Sequence, residues 1–212
     1  MIEIKLTDIP VHYINLTEHK DKNEKVLSLL TNLGFNNISR HEGEIHEKSN
    51  VGCSRAHYKA LEQLEAPFIL FEDDIVEKKF INKVNFPENA DAVYLGTSSW
   101  GRFNSNSGPF LKYKKINNDL YRIYNMLSGH AILYLNDHYK EMCEKIAYFF
   151  GYVLEDSHQD IGYAEIQKYF SVYCLNDPLF LQTSNPKVTN KMLTEYPIEQ
   201  IKSDEFFNPI DI

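Results

Sequence analysis

Phe68-Ile69-Leu70-Phe71-Glu72-Asp73-Asp74 runs four apolar residues straight into three carboxylates. The apolar part, with Pro67 before it, has the length and continuity of a strand buried on both faces. Desolvated carboxylates are strongly disfavoured unless positive charge meets them, so acids packed at a strand end call for a cation. In an extended chain alternate side chains share a face, which sets Glu72 and Asp74 on one side and Asp73 on the other. Hard oxygen ligands suit Mg²⁺ or Mn²⁺, ions held by one or two carboxylates together with substrate phosphates and water. Asp74, nearest the open strand end, is the expected direct ligand, with Glu72 beside it. Taken alone, three acids after a strand also fit an ordinary solvated turn.

Working outward, residues 11–16 (Val-His-Tyr-Ile-Asn-Leu) read as a first buried strand. Residues 21–33 read as a helix with Val26, Leu29, Leu30 and Leu33 on one face, and Gly34 stops it. Residues 35–40 suit a short second strand, and Ser54 is expected to cap a second helix running through Ala56, Ala60, Leu61 and Leu64. Residues 92–95 form another short buried strand, followed by a polar Gly/Ser-rich loop to Pro109 that carries Trp100. Residues 111–116 and 120–124, split by Asn117-Asn118-Asp119, predict a hairpin. A strand over 129–135, a helix over 139–150, a helix over 159–168 and late strands over 169–175 and 179–182 complete the reading. Strands alternating with helices in the first half and a hairpin in the second predict a Rossmann-type α/β fold. Its sheet is mixed, with a parallel nucleotide-binding core flanked by helices. One domain over 1–185 is expected, with a nucleotide-binding half at 1–96 and an acceptor half at 97–185. Residues 186–212 are expected to form a tail packed on the domain.

The 212 residues are 43% hydrophobic, enough for a substantial core. Acids outnumber bases 30 to 22, a net charge of -8, and nothing forms the basic footprint of a nucleic-acid binder. No apolar run reaches the ~20 residues of a membrane span, and the alternating, charged first residues do not resemble a signal peptide. The expected location is cytoplasmic. Cys53, Cys143 and Cys174 form neither a disulfide framework nor a metal knuckle, and read as reduced, partly buried thiols.

An ordered series of segments carries more than any one of them. Ile14-Asn15-Leu16, Leu33-Gly34-Phe35, Arg40-His41-Glu42-Gly43, Gly52-Cys53-Ser54-Arg55-Ala56-His57 and Phe71-Glu72-Asp73-Asp74, followed by residues 91–96 and 128–131, together resemble glycosyltransferase family 25. That group contains lipopolysaccharide and collagen sugar transferases with a GT-A fold. The resemblance implies a UDP-sugar donor, Mn²⁺ or Mg²⁺ at the acid motif, and a hydroxyl acceptor on a glycan, lipid-linked glycan or glycoprotein. It further implies that Asn15 and Leu16 border the nucleotide and that Arg40 and Glu42 lie near its base or ribose; Asp73, on the other side of the strand from Asp74, is itself placed to accept from a ribose. Ser54, Arg55 and His57 would flank the donor on a helix whose start favours phosphate. The chain departs from the family pattern at Glu42, at Thr17-Glu18-His19-Lys20, and in Glu155-Asp156-Ser157-His158-Gln159-Asp160.

An inverting transfer needs a carboxylate that takes the acceptor proton, and Asp160 is the expected base, with Asp156 and Glu155 behind it. His130 and His57 suit either phosphate or metal contacts or ordinary structural hydrogen bonds. Trp100 suits stacking on a sugar ring or anchoring its loop. The competing expectations are a noncatalytic carbohydrate- or nucleotide-binding module of the same fold, and a metal-dependent phosphohydrolase.

Overall fold

The computed structural model describes residues 1–109 and 111–183, so the expected tail at 186–212 lies outside the described residues. β1 (Ile2–Lys5) leads to β2 (Val11–Asn15), α1 (Lys20–Asn32), β3 (Ile38–Glu42), α2 (Ser49–Leu61) and β4 (Phe68–Glu72). β5 (Ile75–Glu77), β6 (Lys83–Phe86), β7 (Ala92–Tyr94), β8 (Gly101–Phe103), β9 (Asn106–Gly108), β10 (Tyr113–Lys115) and β11 (Leu120–Ile123) follow. β12 (Ala131–Tyr134), α3 (Asp137–Tyr148), a π-helical turn at Phe149–Leu154, α4 (Gln159–Ile166), β13 (Val172–Leu175) and β14 (Phe180–Gln182) complete the order.

Eight strands form one mixed sheet in the order β10-β11-β13-β7-β12-β4-β2-β3. β2 runs parallel to both β3 and β4, and β7 parallel to β13. β12 lies antiparallel between β4 and β7. The architecture is therefore a mixed α/β sheet with flanking helices, compatible with a Rossmann-like fold. Strands from both halves of the chain share it.

The period-2 alternation of each strand decides which layer it feeds. Val11, Tyr13, Ile69, Phe71, Val93 and Leu133 point to one face, where Val26 and Leu30 of α1 cover them. Ile14, Phe68, Leu70, Tyr94, Ile132 and Tyr134 point to the other, under α2, α3 and α4. α1 stops where Gly34 adopts φ +89, the left-handed conformation that glycine takes without Cβ strain. The amide of Phe35 bonds the Leu30 carbonyl at 3.1 Å and that of Gly34 the Thr31 carbonyl at 3.0 Å, a Schellman closure. At the other end of the chain Asn136 caps α3 by accepting from the Tyr139 amide.

Three expectations need correction. α2 starts at Ser49 rather than Ser54, and Ser54 sits in its interior, where its hydroxyl donates to the Asn50 carbonyl. The second strand occupies 38–42 instead of 35–40, because pairing with β2 continues through His41 and Glu42. The loop after β7 contains the β8–β9 hairpin, whose turn holds Asn104 at φ 47 and Ser105 at φ 62. Smaller sheets, β1 with β6 and β5 with β14, had no counterpart in the sequence reading. Among the described residues no helix is long and apolar enough to cross a membrane.

Candidate functional site

β2 and β4 deliver their carboxyl ends to one cavity of about 280 Å³. Asn15 and Leu16 line it from β2, Glu72, Asp73 and Asp74 from β4 and the turn after it, and Ser49, Gly52 and Cys53 from the first turns of α2. The chain after β3 closes the far wall at Gly43 and Ile45. Two glycines allow this approach. A Cβ on Gly52 would meet the Glu44 carbonyl oxygen at 2.4 Å, and one on Gly43 would meet the Leu16 side chain at 2.9 Å. β4 ends at Glu72, so the strict alternation expected through Asp74 stops there, and all three acids face the cavity.

Asn15 ties the end of β2 to its surroundings. Its amide donates to Asp73 Oδ2 at 2.8 Å and to the His19 carbonyl at 3.2 Å. Lys22 of α1 reaches the other Asp73 oxygen at 3.2 Å. From β3, Arg40 donates to Asn15 Oδ1, to the Asn15 carbonyl and to Thr17 Oγ1, and pairs with Glu42 at 2.7 Å. Hydrogen bonds from Thr17, ahead of Arg40, hold the Glu42 carboxyl below the usual range. Arg40 and Glu42 thus fix the 15–17 segment from behind and stand outside the cavity lining.

Glu72 enters a second network on the α2 side. One oxygen meets His57 Nε2 at 3.0 Å and the other accepts from Gln182 Nε2 of β14 at 2.9 Å. A carboxylate only accepts, so Nε2 carries the His57 proton. Burial pushes the Glu72 carboxyl up, but the His57 hydrogen bond and the fields of His57, His130 and His158 bring it below its ordinary value. A carboxyl so lowered stabilises the fold above the ordinary glutamate range and loses that contribution as pH falls through the folded value. Glu72→Gln is expected to lower stability by about 2 kcal/mol at pH 7 and to flatten its acid limb. Urea midpoints measured from pH 7 to pH 3 check both.

Cys53, one helical turn before His57, places its sulfur 3.9 Å from Glu72 and accepts from Gln159 Nε2 at 3.5 Å. Cys53, His57 and Glu72 hold their ligand atoms within 4.8 Å of one another, so this trio too could hold a metal ion. Burial raises the Cys53 thiol well above its normal range, and the charges of Glu72, Asp160 and Asp74 add to it. It is a protonated thiol rather than a nucleophile. Gln159 also accepts from Ser54 at 3.2 Å, which ties α4 to α2.

Asp160, in the first turn of α4, belongs to the same cluster. Burial raises its carboxyl above the normal aspartate range, the His158 charge opposes that, and the Glu72 charge adds to it. His130 lies behind, buried, with Nδ1 3.2 Å from Ser128 Oγ, and burial lowers its proton affinity against the pull of Glu72. Gly96 packs directly on this ring, because a Cβ there would fall 2.0 Å from His130 Nε2. Gly96→Ala is expected to cost about 1–3 kcal/mol through overpacking, read as a lowered urea midpoint.

Other expected residues go elsewhere. Arg55 donates to the Gly151 carbonyl at 2.8 Å, pairs with Glu155 and lies 4.7 Å over the Tyr152 ring, so it braces the π-helical turn. Asp156 is exposed on the segment before α4. Trp100 is 38% exposed, and its backbone amide bonds Ser98 Oγ. Sequence reasoning missed Lys22, Gln159, Gln182 and the part played by Cys53. The four-residue spacing of Cys53 and His57 was a usable signal, since it puts both on one helix face. The chain matches no family model and no curated protein, so a functional reading rests on these residues themselves.

Proposed function

We propose that the chain is a metal-dependent glycosyltransferase of GT-A type that moves a sugar from a UDP-linked donor to a hydroxyl of a glycan or glycoconjugate, with inversion. The observation that carries this reading is the meeting of Asn15, Asp73 and Asp74 at the carboxyl ends of parallel β2 and β4. Ligands of open α/β sheets bind at that edge. The first turn of α2 borders the same cavity, and a helix start favours phosphate oxygens. Leu16 and Ile45 supply apolar walls for a base.

The side-by-side carboxylates of Asp73 and Asp74 in the lining suit a hard cation. Asp74 is the assigned ligand, with Asp73 next to it. Glu72, bonded through both oxygens to His57 and Gln182, anchors the strand end. A divalent cation bound there supplies charge neutralisation for the departing diphosphate. Asp73 and Asn15 orient the ribose side, while Arg40 and Glu42 keep Asn15 in place. Asp160 takes the acceptor proton, a task helped by its raised proton affinity.

Calorimetry with UDP, with and without Mn²⁺, followed by a panel of UDP-sugars tested for Mn²⁺-stimulated hydrolysis, tests the reading. Metal-dependent binding and hydrolysis of at least one donor is the expected result. Metal-dependent binding without any turnover would point to a nucleotide-binding module instead. No nucleotide binding at all would remove the transferase reading.

A further inference from the structure

A second cavity, of about 320 Å³, opens beside the last turn of α4. Arg102 and Phe103 of β8, Lys112, Tyr124, Glu165 and Lys168 line it. Among the described residues three cations and one carboxylate line it, in a chain whose net charge is -8. Glu165 lies 3.4 Å from Arg102 Nε, and Arg102 Nη1 donates to Ser107 Oγ at 3.2 Å. The Lys112 ammonium sits 4.1 Å over the Phe103 ring.

The walls are fastened together before any ligand arrives. Buried Asn125 accepts from the Lys112 amide at 2.7 Å, donates to the Arg102 carbonyl at 2.8 Å, and its own carbonyl takes the Arg102 amide at 2.9 Å. One residue therefore sets the spacing of β8, the chain before β10 and the end of β11. A site held this way does not spend binding energy on ordering its walls.

Helix α4 connects this cavity to the acid cluster. Asp160 stands in its first turn, outside the cavity lining, and Ala164 and Glu165 in its last, an axial rise of ~6–7.5 Å at 1.5 Å per residue. A disaccharide is long enough to match that rise. Guanidinium and ammonium groups recognise carboxylate or phosphate oxygens, and the aromatic faces of Phe103 and Tyr124 suit the apolar faces of sugar rings.

We infer that this cavity is an acceptor subsite for an anionic saccharide, a sugar bearing a carboxylate or a phosphate, held so that a neighbouring hydroxyl reaches Asp160. The word acceptor rests on the transferase reading; the anion site itself does not. Three disaccharide probes decide it: one ending in glucuronate, one ending in glucose 6-phosphate, and the neutral glucose parent. Titrations by calorimetry at low and high salt should give binding of at least one anionic probe, at least 10-fold tighter than the neutral one, and weaker at high salt. Lys112→Gln combined with Lys168→Gln should weaken the anionic probe at least 10-fold and leave Mn²⁺-dependent UDP binding unchanged. The preferred anion identifies the source, uronate or sugar phosphate. Equal binding of the neutral parent, no binding of either anion, or a double variant that binds like wild type would overturn the inference. UDP that fails to bind while an anionic probe binds would overturn the transferase reading and keep the anion site.

Discussion

Asp74→Ala leaves a folded protein whose Mn²⁺-stimulated hydrolysis of its UDP-sugar is at least ~100-fold below wild type, the scale on which losing one preorganised charge-stabilising group acts. The expectation follows from position. Asp74 occupies the turn between β4 and β5, beyond the last paired residue of the large sheet, and its backbone carbonyl accepts from both the amide and the hydroxyl of Thr183. Those backbone bonds survive truncation of the side chain, so the turn keeps its course. The loss should appear in the rate and in the Mn²⁺ concentration needed, with circular dichroism and the urea midpoint close to wild type. Unchanged hydrolysis in the folded variant would take Asp74 out of the cation site. Asp73→Ala should behave differently. It removes the partner of both Asn15 and Lys22, so donor affinity and local stability should fall together.

Asp160→Asn is the second large effect, with transfer lowered by ~10²–10⁴-fold, the usual worth of a general base. Its effect on stability has the opposite sign. Burial raises the Asp160 carboxyl, so the folded chain binds this proton more tightly than the unfolded chain does. Stability tied to this group is then present below the unfolded value and is lost as pH rises through the folded one. The fold disfavours the ionised form of this carboxyl, and the neutral amide removes that cost. The variant should therefore melt higher at pH 7 and lose its advantage near pH 4. Wild-type transfer should show an acid limb above the range of an ordinary aspartate, and a residual rate in the variant should lack it. A variant that is inactive and also less stable would return Asp160 to a structural role.

Buried strands announced themselves in the sequence because they are continuous apolar runs. β4 and β12 were found for that reason, and the hairpin of β10 and β11 through its Asn-Asn-Asp turn. The start of α2 was not legible, since Gly52 reads as loop in isolation. Its place in a helix makes sense only when the Glu44 carbonyl is seen crossing it, and that is tertiary information. β3 was shifted because His41 and Glu42 look like loop residues, yet β2 pairs with them regardless. In the site, the acid triplet was legible through the cost of ending a buried strand in charge. The jobs of its members were not. Glu72 meets Gln182 across 110 residues of chain and His57 across 15, and no local pattern encodes either contact. Arg55 shows the converse: its position on α2 suggested phosphate, and the π-helical turn far down the chain claims its guanidinium.

The placement of β12 between β4 and β7, and of β14 beside β5, has a consequence for synthesis. A ribosome-bound nascent polypeptide that has emerged only through β4 already holds β2, β3 and both covering helices α1 and α2, but Phe71 and its neighbours have no antiparallel partner. Gln182, the clasp on Glu72, is translated more than a hundred codons later. Lys22, Asn15 and His57 have already emerged to meet Asp73 and Glu72, so what waits is the open edge of β4 and the second oxygen of Glu72, and that edge should be a preferred landing place for chaperones on the growing chain.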